Sequence, residues 1–326
     1  MKKVVFSGIQ PTGSIHIGNY LGAMQHWEAS QDKFENIFCI VDLHSITIPQ
    51  DVKDVKHKTR ELAGLLLAVG IDPAKSSIFV QSHISQHSEL TWILNCFTPV
   101  GWLLRMTQYK DKSEKQETVS TGLLTYPVLM TADILLYNAD FVPVGEDQKQ
   151  HVELSRDIAQ RFNAMYGETF RVPEPVIAKA AARIMGLDDP TKKMSKSESA
   201  QGHAINLLDP PEVTRKKIMR ATTDSQRDIL FDEKRPGVFN LLTIHQQFSK
   251  MSKSELEAHF EGKGYGDLKK EVAELVIEAF KPIQKRHQEL MADPEYIEKV
   301  LHEGADKVRP TAEKVVKDVM QRIGLG

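Results

Sequence analysis

Short apolar runs alternate with stretches of helical spacing through the first half of the chain, and this alternation constrains the fold more than any other feature. "KVVF" (Lys3 to Phe6), "NIFCIV" (Asn36 to Val41) and "SSIFV" (Ser76 to Val80) are rich in β-branched and aromatic residues and read as buried strands. Between them, "NYLGAMQHWEASQ" and "VKHKTRELAGLLLAVG" carry apolar residues at helical intervals, the second with Gly70 as a C-terminal stop. Strands joined by helices pair in parallel, because each crossover returns the chain to the same end of the sheet. Further on, "GLLTYPVLMTADILLYNAD" predicts a buried helix entered near Pro127. "FVPVGEDQKQH" predicts a short strand, a loop and a helix from about Asp147 to Tyr166. From about Glu212 the strand patterns stop, and "EVTRKKIMRAT", "VFNLLTIHQQFS", "ELEAHFEG" and the segments after them all have helical spacing. The expected fold class is α/β, a parallel-sheet domain followed by a smaller all-helical one.

Composition removes several function classes. No run of 18 or more apolar residues occurs, so no membrane-spanning helix is expected. "MKKVVFSGIQ" has too short an apolar run for a secretory leader and reads as the first strand. Cys39 and Cys96 are far apart and form no C-x-x-C, which excludes a disulfide framework or a cysteine-rich metal site and fits a reducing cytoplasm. With a formal charge of -2, any nucleic-acid contact must rest on a local patch. "TRKKIMR" offers one, with Arg215, Lys216, Lys217 and Arg220 on a short helix and Lys234 and Arg235 in the following loop; a solvated helix face fits the same residues.

Two stretches suggest phosphate chemistry. "FSGIQPTGSIHIGNYLGA" (Phe6 to Ala23) joins the first strand to the first helix, where open α/β sheets bind ligands. Gly8, Gly13 and Gly18 allow a tight turn and a close ligand approach. His16 and Asn19, three apart, share a face at the helix start, whose unpaired N–H groups and dipole favour an anion. A glycine-rich turn with a buried histidine and a capping asparagine is the plainer alternative. The string KMSKS occurs twice, at Lys193 to Ser197 and Lys250 to Ser254. Ser195 with Glu198 and Ser252 with Glu255 both fit a capping box, so capping does not separate the copies. Context does: turn and loop residues surround the first, whereas the second lies between two helical runs and reads as a helix start.

"HIGN" (His16 to Asn19) and the first KMSKS are similar to the two hallmark elements of class I aminoacyl-tRNA synthetases. "FSGIQPTG", "RMTQYKDKS", "YPVLMTADILLY" and "VGEDQKQH" extend the likeness almost end to end, and together they resemble the bacterial tryptophanyl-tRNA synthetase family. The chain departs from the family pattern at His16, often Thr there, at Leu43 and Ser45 around His44, at Trp102, where an acidic residue is common, and in lacking Asp-Pro after KMSKS. The resemblance implies a Rossmann-like catalytic domain of the class I synthetases over residues 1–200, a helical anticodon-binding domain over 201–290 and a C-terminal helical segment over 291–326 that packs back on the catalytic domain. It further implies a cytoplasmic homodimer that takes L-tryptophan, ATP and tRNA(Trp).

The same resemblance assigns residues. Catalysis falls to His16, Asn19, Lys193, Lys196 and Ser197. ATP meets Gln10, Pro11, Thr12, Gly18 and Asn19 at the first turn; Gly145, Glu146 and Asp147 hold its ribose, and Ile184 and Met194 flank adenine. Lys193, Ser195, Lys196 and Ser197 bind the departing pyrophosphate, with Lys112 a further candidate. Mg²⁺ is expected on the ATP phosphates, with no metal ligand from the protein. Tryptophan meets Phe6, Gly8, Gln10, His44, Tyr126, Met130, Asp133, Val142, Val144 and Gln148. Relative to the tyrosine enzymes, Phe6 and Met130 replace Tyr and Gln and make the pocket more apolar. Asp133 remains, and a carboxylate suits an indole, which offers one N–H and no acceptor. Tyr126, Met130 and Asp133 are four and three apart, so a single helical face presents them. The alternative is a core helix with one paired Asp, since an unpaired charge in "LMTADILLY" is strongly disfavoured.

A carboxylate is already a nucleophile at neutral pH, so activation needs positioning and charge stabilisation rather than a general base. The residues present are lysines, glycine-rich turns and a helix N-terminus. Two other readings stay open at this point: a nucleotidyltransferase of the same superfamily with a small-molecule acceptor, and a non-catalytic RNA-binding paralogue. The helical domain after KMSKS weighs against the first, and the intact HIGN and KMSKS against the second.

Overall fold

The computed structural model describes residues 2–47, 51–114, 116–177, 183–195 and 202–325. Five strands are present among them: Val4–Ile9 (β1), Glu35–Ile40 (β2), Ser77–Val80 (β3), Phe141–Val144 (β4) and Glu174–Ile177 (β5). All pair in parallel, in the order β3-β2-β1-β4-β5. β2 buries five consecutive residues, as expected of a strand covered on both faces. β5 has no counterpart in the sequence reading. It has four residues, one of them Pro175, and alternates exposed with half-buried positions, which marks an edge strand rather than a buried apolar run.

The strand order places a topological switch between β1 and β4. The two pair only at Val5 and Phe141. Beyond that point Pro143 has no N–H to offer, and the carboxyl ends part. Such a crevice is where open α/β sheets take their ligands.

The helix expected to start near Pro127 begins earlier, at Thr121, and runs to Leu135. Ser120 caps it by accepting from the Leu123 N–H, so the cap sets the start and Pro127 sits inside the helix. The first helical stretch is also not a plain α-helix: Ile17–Asn19 and Gln25–Ser30 are α, and Tyr20–Met24 between them is a π turn.

The chain divides into two compact units. The first comprises Met1–Thr12, Trp27–Ala178 and Leu290–Gly326, and it contains the whole sheet. Its C-terminal helix, Pro294–Ile323, packs along β3. A Cβ on Gly304 would meet the Ile78 carbonyl, so only glycine permits that approach. The second unit comprises Gly13–His26 and Lys179–Glu289 and is helical, with Pro211–Met219, Pro236–Ser249, Lys253–His259 and most of Tyr265–Met291. Among the described residues no helix is long and apolar enough to cross a membrane.

Candidate active site

In the sheet unit, the site is organised around Asp133, which is 1% exposed on the helix Thr121–Leu135. His44 Nε2 donates to its Oδ2 at 2.8 Å. Gln81 Nε2 and His87 Nδ1 donate to its Oδ1 at 2.6 and 2.7 Å. Because His87 donates through Nδ1, its Nε2 accepts from the Tyr137 hydroxyl at 2.7 Å. Gln81 Oε1 in turn accepts from the Leu43 N–H at 3.0 Å, which fixes the amide's orientation. Burial opposes the charged carboxylate, but hydrogen bonds from His44 and His87 hold its pKa at about 2. A carboxylate has about four acceptor positions. Among the described residues three of these are filled, and one on Oδ2 is not.

Tyr126, two turns earlier on the same helix, meets His151 Nε2 at 2.8 Å, and its ring lies edge-on to His44 at 6.2 Å. Burial pushes the Tyr126 hydroxyl up to about 12. Burial, with the nearby Lys112 charge adding to it, brings His151 down to about 4, so its ring is neutral. His151 Nδ1 is buried without a partner among the described residues. An orphaned lone pair costs less than an orphaned N–H, which puts the ring proton on Nε2. His151 then donates to the Tyr126 oxygen, and the hydroxyl proton of Tyr126 is left for another acceptor. Lys112 Nζ stands 4.9 Å from the centre of the Tyr126 ring.

The other expected tryptophan contacts belong to the same unit. Phe6 is buried and stacks on Tyr137 at 5.8 Å. Met130 and Val144 are half-buried against the core, and Val142 is buried. Gly8 lies near the end of β1, where a Cβ would approach Val41 to 3.3 Å. Gln10 accepts from the Thr12 hydroxyl at 3.3 Å, next to the buried Pro11. After β4, Gly145 and Glu146 are exposed, Asp147 accepts from Gln148 Nε2 at 3.0 Å, and a Cβ on Gly145 would come within 2.8 Å of Asp147. Of the departures from the family pattern, Leu43 serves the Asp133 network through its N–H, Ser45 is buried with no hydroxyl partner among the described residues, and Trp102 packs against the core.

The helical unit holds the two hallmark motifs together. His16 caps the short helix: its Nδ1 accepts from the Gly18 N–H at 3.1 Å, and Asn19 Oδ1 accepts from the His16 N–H at 3.1 Å. An accepting Nδ1 places the ring proton on Nε2. Met185 and Lys193 form an antiparallel bridge, and the Met194 N–H donates to the Ile184 carbonyl at 3.0 Å. Ile184 and Met194 are 3% and 1% exposed. Gly18 lies beside Ile184, where a Cβ would make a 3.8 Å contact. His16 pairs with Asn206, and the Ile17 N–H donates to the Ile205 carbonyl at 2.8 Å. The described part of the first KMSKS copy is thereby placed next to HIGN. Ser195 is half-buried; Lys196 and Ser197 lie outside the described residues.

The second copy has a different role. Lys250 takes a left-handed conformation at φ 62° to end one helix, and Ser252 and Glu255 form the capping box of the next. Lys253 lies over the rings of Phe231 and Phe239 at 5.1 and 5.5 Å. The basic patch is smaller than the sequence suggests. Arg235 is 5% exposed and bound to Asp224, Asp228 and Tyr265, and Lys217 is bound to Asp209 and the Ala204 carbonyl. Arg215 pairs with Glu274, leaving Lys216, Arg220 and Lys234 exposed without an ion pair among the described residues. Sequence reasoning also missed Gln81, His87, Tyr137, His151, His203 and Asn240. Asn240 brackets the Met185 backbone with two 2.9 Å hydrogen bonds. Tyr137 and His151 end two of the quoted motifs without being singled out, the other four lie outside them, and each acts by contact with residues distant in sequence.

Comparison with known proteins agrees with this arrangement. The family described as tRNA synthetases class I (W and Y) matches residues 2–281. A tryptophan–tRNA ligase of Wolinella succinogenes is 58% identical over 326 residues, covering 100% of this chain and 99% of that protein. The crystal structure of tryptophanyl-tRNA synthetase from Mycoplasma pneumoniae superposes with a TM-score of 0.92 at 40% identity, over 100% of this chain and 99% of that one. That from Campylobacter jejuni, complexed with ADP and tryptophan, gives a TM-score of 0.88 at 38% identity, over 99% and 100%. The chain belongs to the class I tRNA synthetases of the tryptophan and tyrosine group.

Proposed function

We infer that the chain is a tryptophan–tRNA ligase, which activates L-tryptophan with ATP and transfers the tryptophanyl group to the 3′ end of tRNA(Trp). The observation that carries the choice of amino acid is Asp133: a buried, ionised carboxylate with one acceptor position unfilled. An indole N–H fills that position with its only polar atom. Phe6, Met130, Val142 and Val144 supply the apolar walls, and a thioether against an aromatic ring contributes ~0.3–1.5 kcal/mol. His44 acts through Asp133 by fixing the direction of Oδ2. Gly8 and Gln10 line the end of β1, and Tyr126 and Gln148 hold the amino-acid head group.

In the first step an oxygen of the tryptophan carboxylate forms a bond to the α-phosphorus of ATP. The bond to the pyrophosphate oxygen breaks, giving tryptophanyl-adenylate. In the second a terminal ribose hydroxyl of tRNA attacks the adenylate carbonyl, and AMP leaves. The protein's task is orientation and charge stabilisation. In the helical unit His16, Gly18 and Asn19 face the phosphates, Ile184 and Met194 flank adenine, and Lys193, Ser195, Lys196 and Ser197 receive the developing charge on pyrophosphate. In the sheet unit Asp147, with Gly145 and Glu146, holds the ribose hydroxyls; Pro11 and Thr12 border the nucleotide, and Lys112 adds positive charge. Mg²⁺ accompanies ATP in this reading. Its ligands would be the phosphate oxygens of ATP.

Residues 201–290 serve the anticodon in this reading, with Lys216, Arg220 and Lys234 available to RNA phosphates. A homodimer is favoured by exposed apolar side chains on the sheet unit: Trp92, Val100 and Leu104 are 73%, 59% and 47% exposed. A cytoplasmic location fits Cys39 and Cys96, both free thiols. The test is ATP–pyrophosphate exchange with each amino acid, followed by aminoacylation of total tRNA. Exchange with tryptophan alone and charging of tRNA(Trp) are expected; exchange with tyrosine or with no amino acid overturns the reading.

A further inference from the structure

A buried imidazole beside the first KMSKS copy faces two acceptors. His203 is 2% exposed. Its Nδ1 lies 2.6 Å from Asp188 Oδ1, and its Nε2 lies 3.3 Å from the Lys193 carbonyl oxygen. A carboxylate and a carbonyl only accept, so the ring satisfies both when each nitrogen carries a proton. Burial alone would raise the Asp188 carboxyl, but the His203 ring and the Asp189 N–H hold it below the usual carboxylate range. A Cβ on Gly186 would come within 2.2 Å of His203 Cε1, so glycine makes the seat in which the ring lies. Backbone bonds frame it: Gly186 N–H to the Lys192 carbonyl at 2.9 Å and Leu187 N–H to the His203 carbonyl at 3.0 Å.

The position of this ring matters for both motifs. Two residues beyond His203, Ile205 and Asn206 pair with the HIGN turn. The short stretch from 203 to 206 therefore touches HIGN at one end and the KMSKS backbone at the other. Nearby, Asp189 and Lys192 pair at 3.3 Å, and the Thr222 hydroxyl donates to the Asp188 carbonyl.

We propose that His203, seated on Gly186 and bound to Asp188, is a positioning residue that fastens the Lys193 backbone and so sets where the Lys193 side chain meets the phosphates. This rests on Lys193 acting as a phosphate ligand, as inferred above. The His203 ring touches no substrate and acts through Lys193. Gly186→Ala crowds the ring without removing its chemistry, and His203→Ala removes the ring.

The experiment follows tryptophan-dependent ATP–pyrophosphate exchange in wild type, His203→Ala, Gly186→Ala and Lys193→Ala. It resolves kcat, per titrated active site, and the KM for ATP and tryptophan. Both clasp variants should lose about tenfold to a hundredfold in kcat, as expected for a displaced phosphate ligand, with KM for tryptophan unchanged. A merely structural role would lower the active fraction and leave kcat per active site unchanged. Wild-type kcat per active site in both clasp variants, with Lys193→Ala inactive, overturns the proposal. An active Lys193→Ala instead overturns the phosphate reading on which it rests.

Discussion

Replacing Asp133 separates recognition from stability, because the two uses of its carboxylate differ in number. Sequence reasoning expects Asp133→Ala to lose tryptophan activation with modest damage to the fold. The structure revises the second half. Alanine would strand three buried donors, on Gln81, His44 and His87. At ~1–3 kcal/mol for each unsatisfied group, the loss is about 3–9 kcal/mol, against a total folding stability of ~5–15 kcal/mol. Asp133→Ala should therefore be largely unfolded or close to it. Asp133→Asn is gentler. Its single carbonyl oxygen can still accept from Gln81 and His87, and His44 can shift its proton to Nδ1 and accept from the new amide. The loss then reduces to the weakening of charge-assisted bonds, about 1–2 kcal/mol. The amide no longer offers an acceptor in the Oδ2 direction, so indole binding fails while the fold survives. Urea unfolding and tryptophan-dependent pyrophosphate exchange on both variants test this. Full exchange in Asp133→Asn, or an unchanged urea midpoint in Asp133→Ala, would refute the reasoning.

The two KMSKS copies should respond differently. Lys193→Ala and Lys196→Ala should abolish adenylate formation. Lys253→Ala should leave exchange intact and lose only about 0.5–1 kcal/mol of stability with its ring contacts, and an inactive Lys253→Ala would contradict the assignment. Stability should also fall in mild acid. His151 is held at about 4 against 6.5, so the unfolded chain takes the proton more readily; its contribution of roughly 3 kcal/mol is complete above 6.5 and is lost as pH falls toward 4. Asp133, held at about 2 against 3.8, adds a further loss below its unfolded value as pH falls through that interval. A urea midpoint unchanged from neutral pH to about 4.5 would count against the buried neutral His151. Trp92→Glu should convert the proposed dimer to monomer in sedimentation, and an unaltered sedimentation coefficient would remove Trp92 from the interface.

Much of the sheet was legible because central parallel strands must be apolar along their whole length. "NIFCIV" and "SSIFV" announce β2 and β3 in this way. β5 was not legible, because an edge strand has water on one side and tolerates proline. The start of the Asp133 helix was misplaced for a local reason: Pro127 is a strong signal for an N-terminus, but Ser120 supplies the cap seven residues earlier. The basic patch was overcounted because sequence shows that Lys217 and Arg235 are cations but not that carboxylates have already claimed them.

By itself the sequence determined the fold class and the family, and it offered the polar groups proposed for phosphate and indole. These depend on periodicity and on motifs whose residues are close along the chain. Only the tertiary structure decided what those groups can do. It joined Gln81, His44 and His87 to Asp133, put the first KMSKS copy beside HIGN, and tied Lys193 to His203. The reason is that protonation, hydrogen-bond direction and the number of acceptor positions left open are set by neighbours in space, and the helices and strands that bring those neighbours together are separated by tens of residues of chain.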